Sequence, residues 1–301
     1  MYLLAEAFPT ARRLRIPLAR DQVMLLLAAF NEAFLGLDIY LAHSIDGTVR
    51  AYEWIPILFG PLAGLCLVLA GLIAMRNRFL ANVIGTIIFF LSCLVGVLGS
   101  YFHLYRGLLL DAPAGQQITA RVLVLAPPLL GPLTFILVGI IGISAAWQED
   151  PIDSGSLILW GQRRLAMPLS KTRAYFLLTA LFILATLLSS VLDHARTNFA
   201  NPWLWLPTFI GVFAVVVTTS MGALRRLDRS DLLTFIAAML LLMLVGAIGA
   251  VLHLERNLTD LGTILGERFL KGAPMFAPLL FANMGLLGLI VLLDPEGKET
   301  K

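Results

Sequence analysis

The chain has 301 residues, 59% of them hydrophobic and only 14% charged, with a formal net charge of +3. A soluble domain carries about 25% charged residues, so this composition excludes an ordinary soluble globule and points to a bilayer. The small basic excess is scattered between apolar runs rather than gathered in a stripe, which excludes a nucleic-acid partner.

The chain opens on a basic leader, Arg12, Arg13, Arg15 and Arg20, with no secretory apolar region ending in an A-x-A site. Runs of about 20 mostly apolar residues, enough to cross a bilayer, then predict eight spans: 22–45, 54–75, 79–104, 122–147, 172–194, 203–223, 231–254 and 272–294. The segment 148–171 (QEDPIDSGS, then GQRR) reads as a linker between two halves. Residues 1–150 form the first four-helix repeat, 151–171 the cytoplasmic linker and 172–301 the second repeat. The loops 105–121 and 255–271 are long enough to hold short surface helices. With the N-terminus inside, inner segments hold 15 of the 22 basic residues and outer segments 7. The positive-inside rule then puts both termini in the cytoplasm. The predicted class is an all-α polytopic membrane protein, two tandem parallel four-helix bundles in a bacterial cytoplasmic membrane.

The halves are an internal repeat. His43, Trp54, Pro56 and Gly60 meet His194, Trp205, Pro207 and Gly211 at an offset of 151. LVGVLGSYFHLYR (94–106) meets LVGAIGAVLHLER (244–256) at an offset of 150. Pro128, Pro132, Leu133, Gly139 and Gly142 meet Pro274, Pro278, Leu279, Gly285 and Gly288 at an offset of 146. Four spans per repeat is an even number, so both halves share one orientation.

The chain's four histidines, His43, His103, His194 and His253, all occupy matched positions at the outer ends of odd-numbered spans. In an up-down-up-down bundle the first and third helices face each other across a diagonal, and two inward imidazoles can ligate one haem iron between them. Gly96 and Gly99 precede His103 by seven and four residues, as Gly246 and Gly249 precede His253. They share the histidine's helix face and are read either as a slot for the porphyrin edge or as helix-packing residues. Arg106 and Arg256 follow their histidines by three residues. They suit a haem propionate or a headgroup anchor. Trp54 and Trp205 are interfacial belt residues or rings packed on a cofactor. Cys66 and Cys93 lie in apolar runs and read as small core residues. Glu32 and Asp38 lie within the first span without acidic counterparts in the second repeat, and are candidates for proton transfer or quinone contact, or for a bond to a neighbouring helix.

This plan of eight spans in two homologous halves, with one histidine pair per half near the outer face, resembles haem A synthase. The resemblance covers architecture. The family's Glu-x-x-His-Arg type of motif is absent around His43 (FLGLDIYLAHS) and His194 (SSVLDHART), so no catalytic residue is carried over. What it implies is two bis-histidine haem sites. The expected function is a b-type cytochrome-like protein with two haems, acting in electron transfer or quinone-linked redox, alone or with redox-partner subunits. The same four histidines are the candidate ligands should a bare metal be held instead. A carrier using the repeat interface and a cofactor-free structural subunit are the competing expectations.

Overall fold

The computed structural model describes residues 3–13, 18–44, 49–107, 115, 119–125, 128, 130–159, 163–259, 267–269 and 272–295. The predicted surface helices over 105–121 and 255–271 fall largely outside these residues. The described chain is mostly helical: α1 (Leu3–Ala7), α2 (Arg20–Ser44), α3 (Trp54–Ala74), α4 (Arg78–Tyr105), α5 (Ala120–Leu125), α6 (Leu130–Ala146), α7 (Lys171–Ala195), α8 (Trp205–Ala223), α9 (Arg229–Thr259) and α10 (Leu279–Val291). Local chemistry starts several of them. Asn77 caps α4 by accepting from Leu80 N at 3.0 Å, and Ser170 caps α7 by accepting from Arg173 N. Asp228 and Asp231 cap the start of α9 reciprocally, each carboxylate accepting the other's backbone N–H.

Six helices, α2, α3, α4, α7, α8 and α9, are long and apolar enough to cross a membrane, α3 and α8 being extended by the single turns that lead into them. The sequence predicts eight. The two that fall short are the fourth of each half: α6 has 17 residues and α10 has 13. At 1.5 Å per residue they rise about 26 and 20 Å, against a hydrocarbon core of about 30 Å. Prolines explain the shortfall. Pro278 is the cap of α10, and Pro132 sits in the first turn of α6. A proline has no N–H to continue a helix upstream of itself, so both helices start late.

In the first half α2 packs on α3, α3 on α4, α4 on α6, and α6 returns to α2. In the second half α7, α8, α9 and α10 make the same circuit. The halves meet where α6 touches α7 and α10 touches α2. Close approach within each half relies on small residues. A side-chain carbon at Gly60 would lie 2.5 Å from Glu32 O, so no other residue lets α3 lie so close to α2. The second half buries a continuous core around Phe176, Phe235, Met239 and Leu242. Large apolar side chains also cover the outside of the helices, including Leu72 (60% exposed) and Phe209 (68%). An outward face of this kind fits lipid, not water.

The linker is more ordered than a plain loop. Strands β1 (Gln148–Glu149), β2 (Ser156–Ile158) and β3 (Arg164–Ala166) form a three-stranded antiparallel sheet, with Gln148 opposite Ile158 and Leu157 opposite Leu165. Beside it lies a buried polar cluster that joins the halves. Lys171 Nζ donates to Asp21 Oδ2 at 2.5 Å and to Trp147 O at 2.6 Å. Tyr175 Oη donates to Asp21 Oδ1 at 3.0 Å, and Arg20 donates to Thr172 Oγ1 at 2.7 Å. At the same end Leu4 N donates to Leu292 O, and Arg20 N to Asp294 O. The first residues of the chain thereby dock on the end of its last helix.

Candidate functional site

The four histidines lie at the end of the molecule opposite the linker, each half-buried. In the first half His43 on α2 and His103 on α4 face each other, with ring centroids 6.0 Å apart and planes at 63°. A single metal atom between two imidazoles requires about 6 Å between ring centres, two bonds of about 2 Å plus the ring radii. In the second half His194 on α7 and His253 on α9 lie within electrostatic reach of each other. His194 packs on Phe199 at 6.1 Å, and Phe199 stacks on Trp205 at 4.3 Å.

Three of the four rings are oriented by a bond from Nδ1. His43 Nδ1 bonds to Ile39 O at 2.9 Å, His103 Nδ1 to Pro128 O at 2.9 Å, and His253 Nδ1 to Pro274 O at 2.8 Å. A carbonyl only accepts, so the proton of each neutral ring lies on Nδ1 and Nε2 keeps its lone pair. This is the state in which a histidine ligates a metal.

The two proline carbonyls are available for a reason written in the sequence. In a helix the carbonyl of residue i accepts from the N–H of residue i+4. Four residues after Pro128 stands Pro132, and four after Pro274 stands Pro278. Neither has an N–H, so each carbonyl lacks the donor four residues on and takes only a long bond, 3.3 Å, from the residue three on (Gly131 N and Ala277 N). His103 and His253 supply a donor. The proline pairs register the repeat in the sequence, and their role as histidine acceptors is legible only once α4 lies beside α6 and α9 beside α10.

The glycines do not form an open slot. A side-chain carbon at Gly96 would lie 2.6 Å from Ile136 and 2.9 Å from Pro132 O, and at Gly99 it would lie 2.9 Å from Pro132 Cβ. At Gly246 it would meet Ala282 N at 2.6 Å, and at Gly249 Pro278 Cβ at 2.8 Å. These contacts fit the helix-packing reading: the four residues let α4 press on α6 and α9 on α10, which brings the proline carbonyls to the histidines.

Arg106 is half-buried and close enough to His103 to act on its charge, as is Glu53. Arg256 is exposed beside Glu255. Trp54 packs near Tyr40 at 6.3 Å and is 41% exposed. Cys66 and Cys93 are free thiols, Cys66 exposed on α3 and Cys93 donating to Ile136 O. Cys66 is therefore not a core residue.

Glu32 is fully buried inside the first half, and among the described residues neither carboxylate oxygen has a hydrogen-bond partner. Ser92 faces it but gives its hydroxyl proton to Phe135 O at 2.9 Å. Asp38 lies elsewhere, on the wall of a cavity of about 400 Å³ between the halves.

Among the described residues no group of three or more His, Cys, Asp or Glu side chains comes together as a metal cage. Each histidine pair thus offers two protein ligands. That donor set would suit a haem and would leave a bare zinc or copper ion under-coordinated. No family model, curated protein or solved structure matches the chain.

Proposed function

We propose that the chain is a membrane cytochrome-like protein that holds two b-type haems, one in each of two tandem four-helix bundles. His43 and His103 would hold the first, and His194 and His253 the second. In this reading α6 and α10 also cross the bilayer, giving eight crossings, with both termini cytoplasmic and the histidines near the outer face. Bound haem would supply one-electron chemistry, placing the protein in electron transfer or quinone-linked redox.

The observation that carries the reading is the paired imidazoles 6.0 Å apart, each Nδ1 already committed to a backbone carbonyl. The chain's own residues do the rest. The carbonyls of Ile39, Pro128 and Pro274 would hold three of the rings in the ligating tautomer, and Arg106 and Arg256, each one turn beyond a histidine, would set positive charge near the two sites.

The test is a pyridine haemochrome assay on pure protein expressed with adequate haem. We expect about two b haems per chain, one for each histidine pair. His103→Ala should remove or convert to high spin only the first centre, and His253→Ala only the second, each counted by its electron paramagnetic resonance signal. No Soret band would end the cytochrome reading and make a carrier working through the cavity between the halves the better one. Loss of one shared centre in both variants would replace two sites by one.

A further inference from the structure

We propose that the cavity between the halves binds a prenylated hydroquinone: a flat, uncharged ring bearing hydroxyl groups, attached to one long apolar tail. This deepens the quinone-linked reading by giving it a site, and it is tested through binding alone.

The cavity is bounded by α2, α6, α7 and α10, and its volume of about 400 Å³ lies within the usual size of small-molecule sites. Along α2 its wall runs from Met24 to Asp38. That is fourteen residues, about 21 Å at 1.5 Å per residue. The end near Met24 and Leu287 is apolar, and the other end is not.

At the histidine end Asp38 and its repeat counterpart Ser189 both line the wall, each five residues before a histidine of its own helix, with Thr186 about one turn deeper. Thr134 is there too, but donates its hydroxyl to Gly131 O, so its oxygen can only accept. Deeper still, midway along the wall, Asn283 Nδ2 donates to Asn31 Oδ1 across the halves at 2.7 Å. The polar groups thus lie between the middle of the wall and its histidine end, and the lining runs apolar from Asn31 toward Met24.

The polar part also says what the head must be. Among the described residues the lining contains no lysine or arginine to pair with a phosphate, and Asp38 would repel one. This disfavours a phospholipid. Three aromatic rings line the same cavity: Phe34, about one turn inward of Asp38 on α2, stacks on Phe30 at 4.3 Å and meets Phe276 edge-on at 6.3 Å. A flat ring packs on such faces. A carboxylate that accepts, with hydroxyls that donate or accept, matches a ring carrying both O–H and C–O groups. The tail then lies along the apolar length toward Met24.

The experiment titrates purified chain in detergent, under anaerobic conditions, with a decyl-tailed benzohydroquinone and separately with its oxidised quinone. We expect one saturable site. Asp38→Asn should weaken the hydroquinone about tenfold or more, the worth of one hydrogen bond to a charged group, and leave the quinone, which has no O–H to give, within about twofold. Ala185→Phe, which fills the cavity, should abolish both. Its unliganded thermal midpoint checks folding, and Ser189→Leu serves if it does not fold. Undiminished binding in both cavity variants would overturn the site, and an equal loss of quinone and hydroquinone in Asp38→Asn would overturn the role of Asp38. Tighter, Asp38-dependent binding of dodecyltrimethylammonium would reassign the cavity to a cationic amphiphile. Binding measured on haem-free protein separates this result from the cytochrome reading, which falls by its own spectrum.

Discussion

Glu32 is the side chain least suited to its surroundings. It is fully buried and unpartnered, and its neighbour Ser92 is engaged elsewhere. Leaving a polar group unpaired in such a place costs about 1–3 kcal/mol. Glu32→Leu should therefore stabilise the protein by about that amount in detergent unfolding. A lower stability would mean that the carboxyl is part of the packing. A buried carboxyl that weakens the fold is a functional candidate, and its place eleven residues inward of His43 suits proton movement toward that pair. The histidines show the opposite economy: at His43, His103 and His253 one ring nitrogen is satisfied by backbone and the other is left for chemistry. Their pairing was legible in the sequence from the repeat. Their second bonds were not, because Pro128 and Pro274 lie more than twenty residues from the rings they orient.

The helices repeat this division between what a pattern reveals and what packing decides. The apolar runs predict α2, α3, α4 and α7 to within two residues at each end, because length and hydropathy determine a span. They overestimate α6 and α10, where Pro132 and Pro278 interrupt runs that are otherwise apolar. The strands at 156–158 and 164–166 have three residues each, too few for any alternation to register. The glycines are the clearest case. Their spacing puts Gly96 and Gly99 on the face of His103, but which neighbour occupies that face depends on how α6 docks. Gly246→Val should cost about 1–3 kcal/mol, since its side chain would be forced into the backbone of α10. Gly85→Ala meets nothing within 4 Å and should be neutral or stabilising by up to about 1 kcal/mol through helix propensity. Equal effects at the two positions, read from thermal unfolding, would contradict the tight α9–α10 seam.

Across the whole molecule the halves are joined differently at their two ends. From Asp38 to Met24 they leave a cavity, and beyond it, at the linker end, they are latched by Arg20 and Asp21 against Lys171, Thr172 and Tyr175. Arg20 and Lys171 are separated by the same 151 residues as His43 and His194, so duplicated positions have taken complementary parts in one cluster. Removing one member of a buried ion pair costs about 3–5 kcal/mol. Lys171→Met should fall near the lower figure, because Asp21 retains Tyr175 and Arg20. A change below about 1 kcal/mol, the range of a surface pair, would show that the latch is solvated. The latch also bears on how the halves assemble. Arg20 donates to Thr172 and, through its backbone N–H, to the carbonyl of Asp294, and Leu4 N–H donates to the carbonyl of Leu292. These contacts draw on both halves at once, so the end toward the linker closes only when the second half has packed, which makes the latch a late step of assembly.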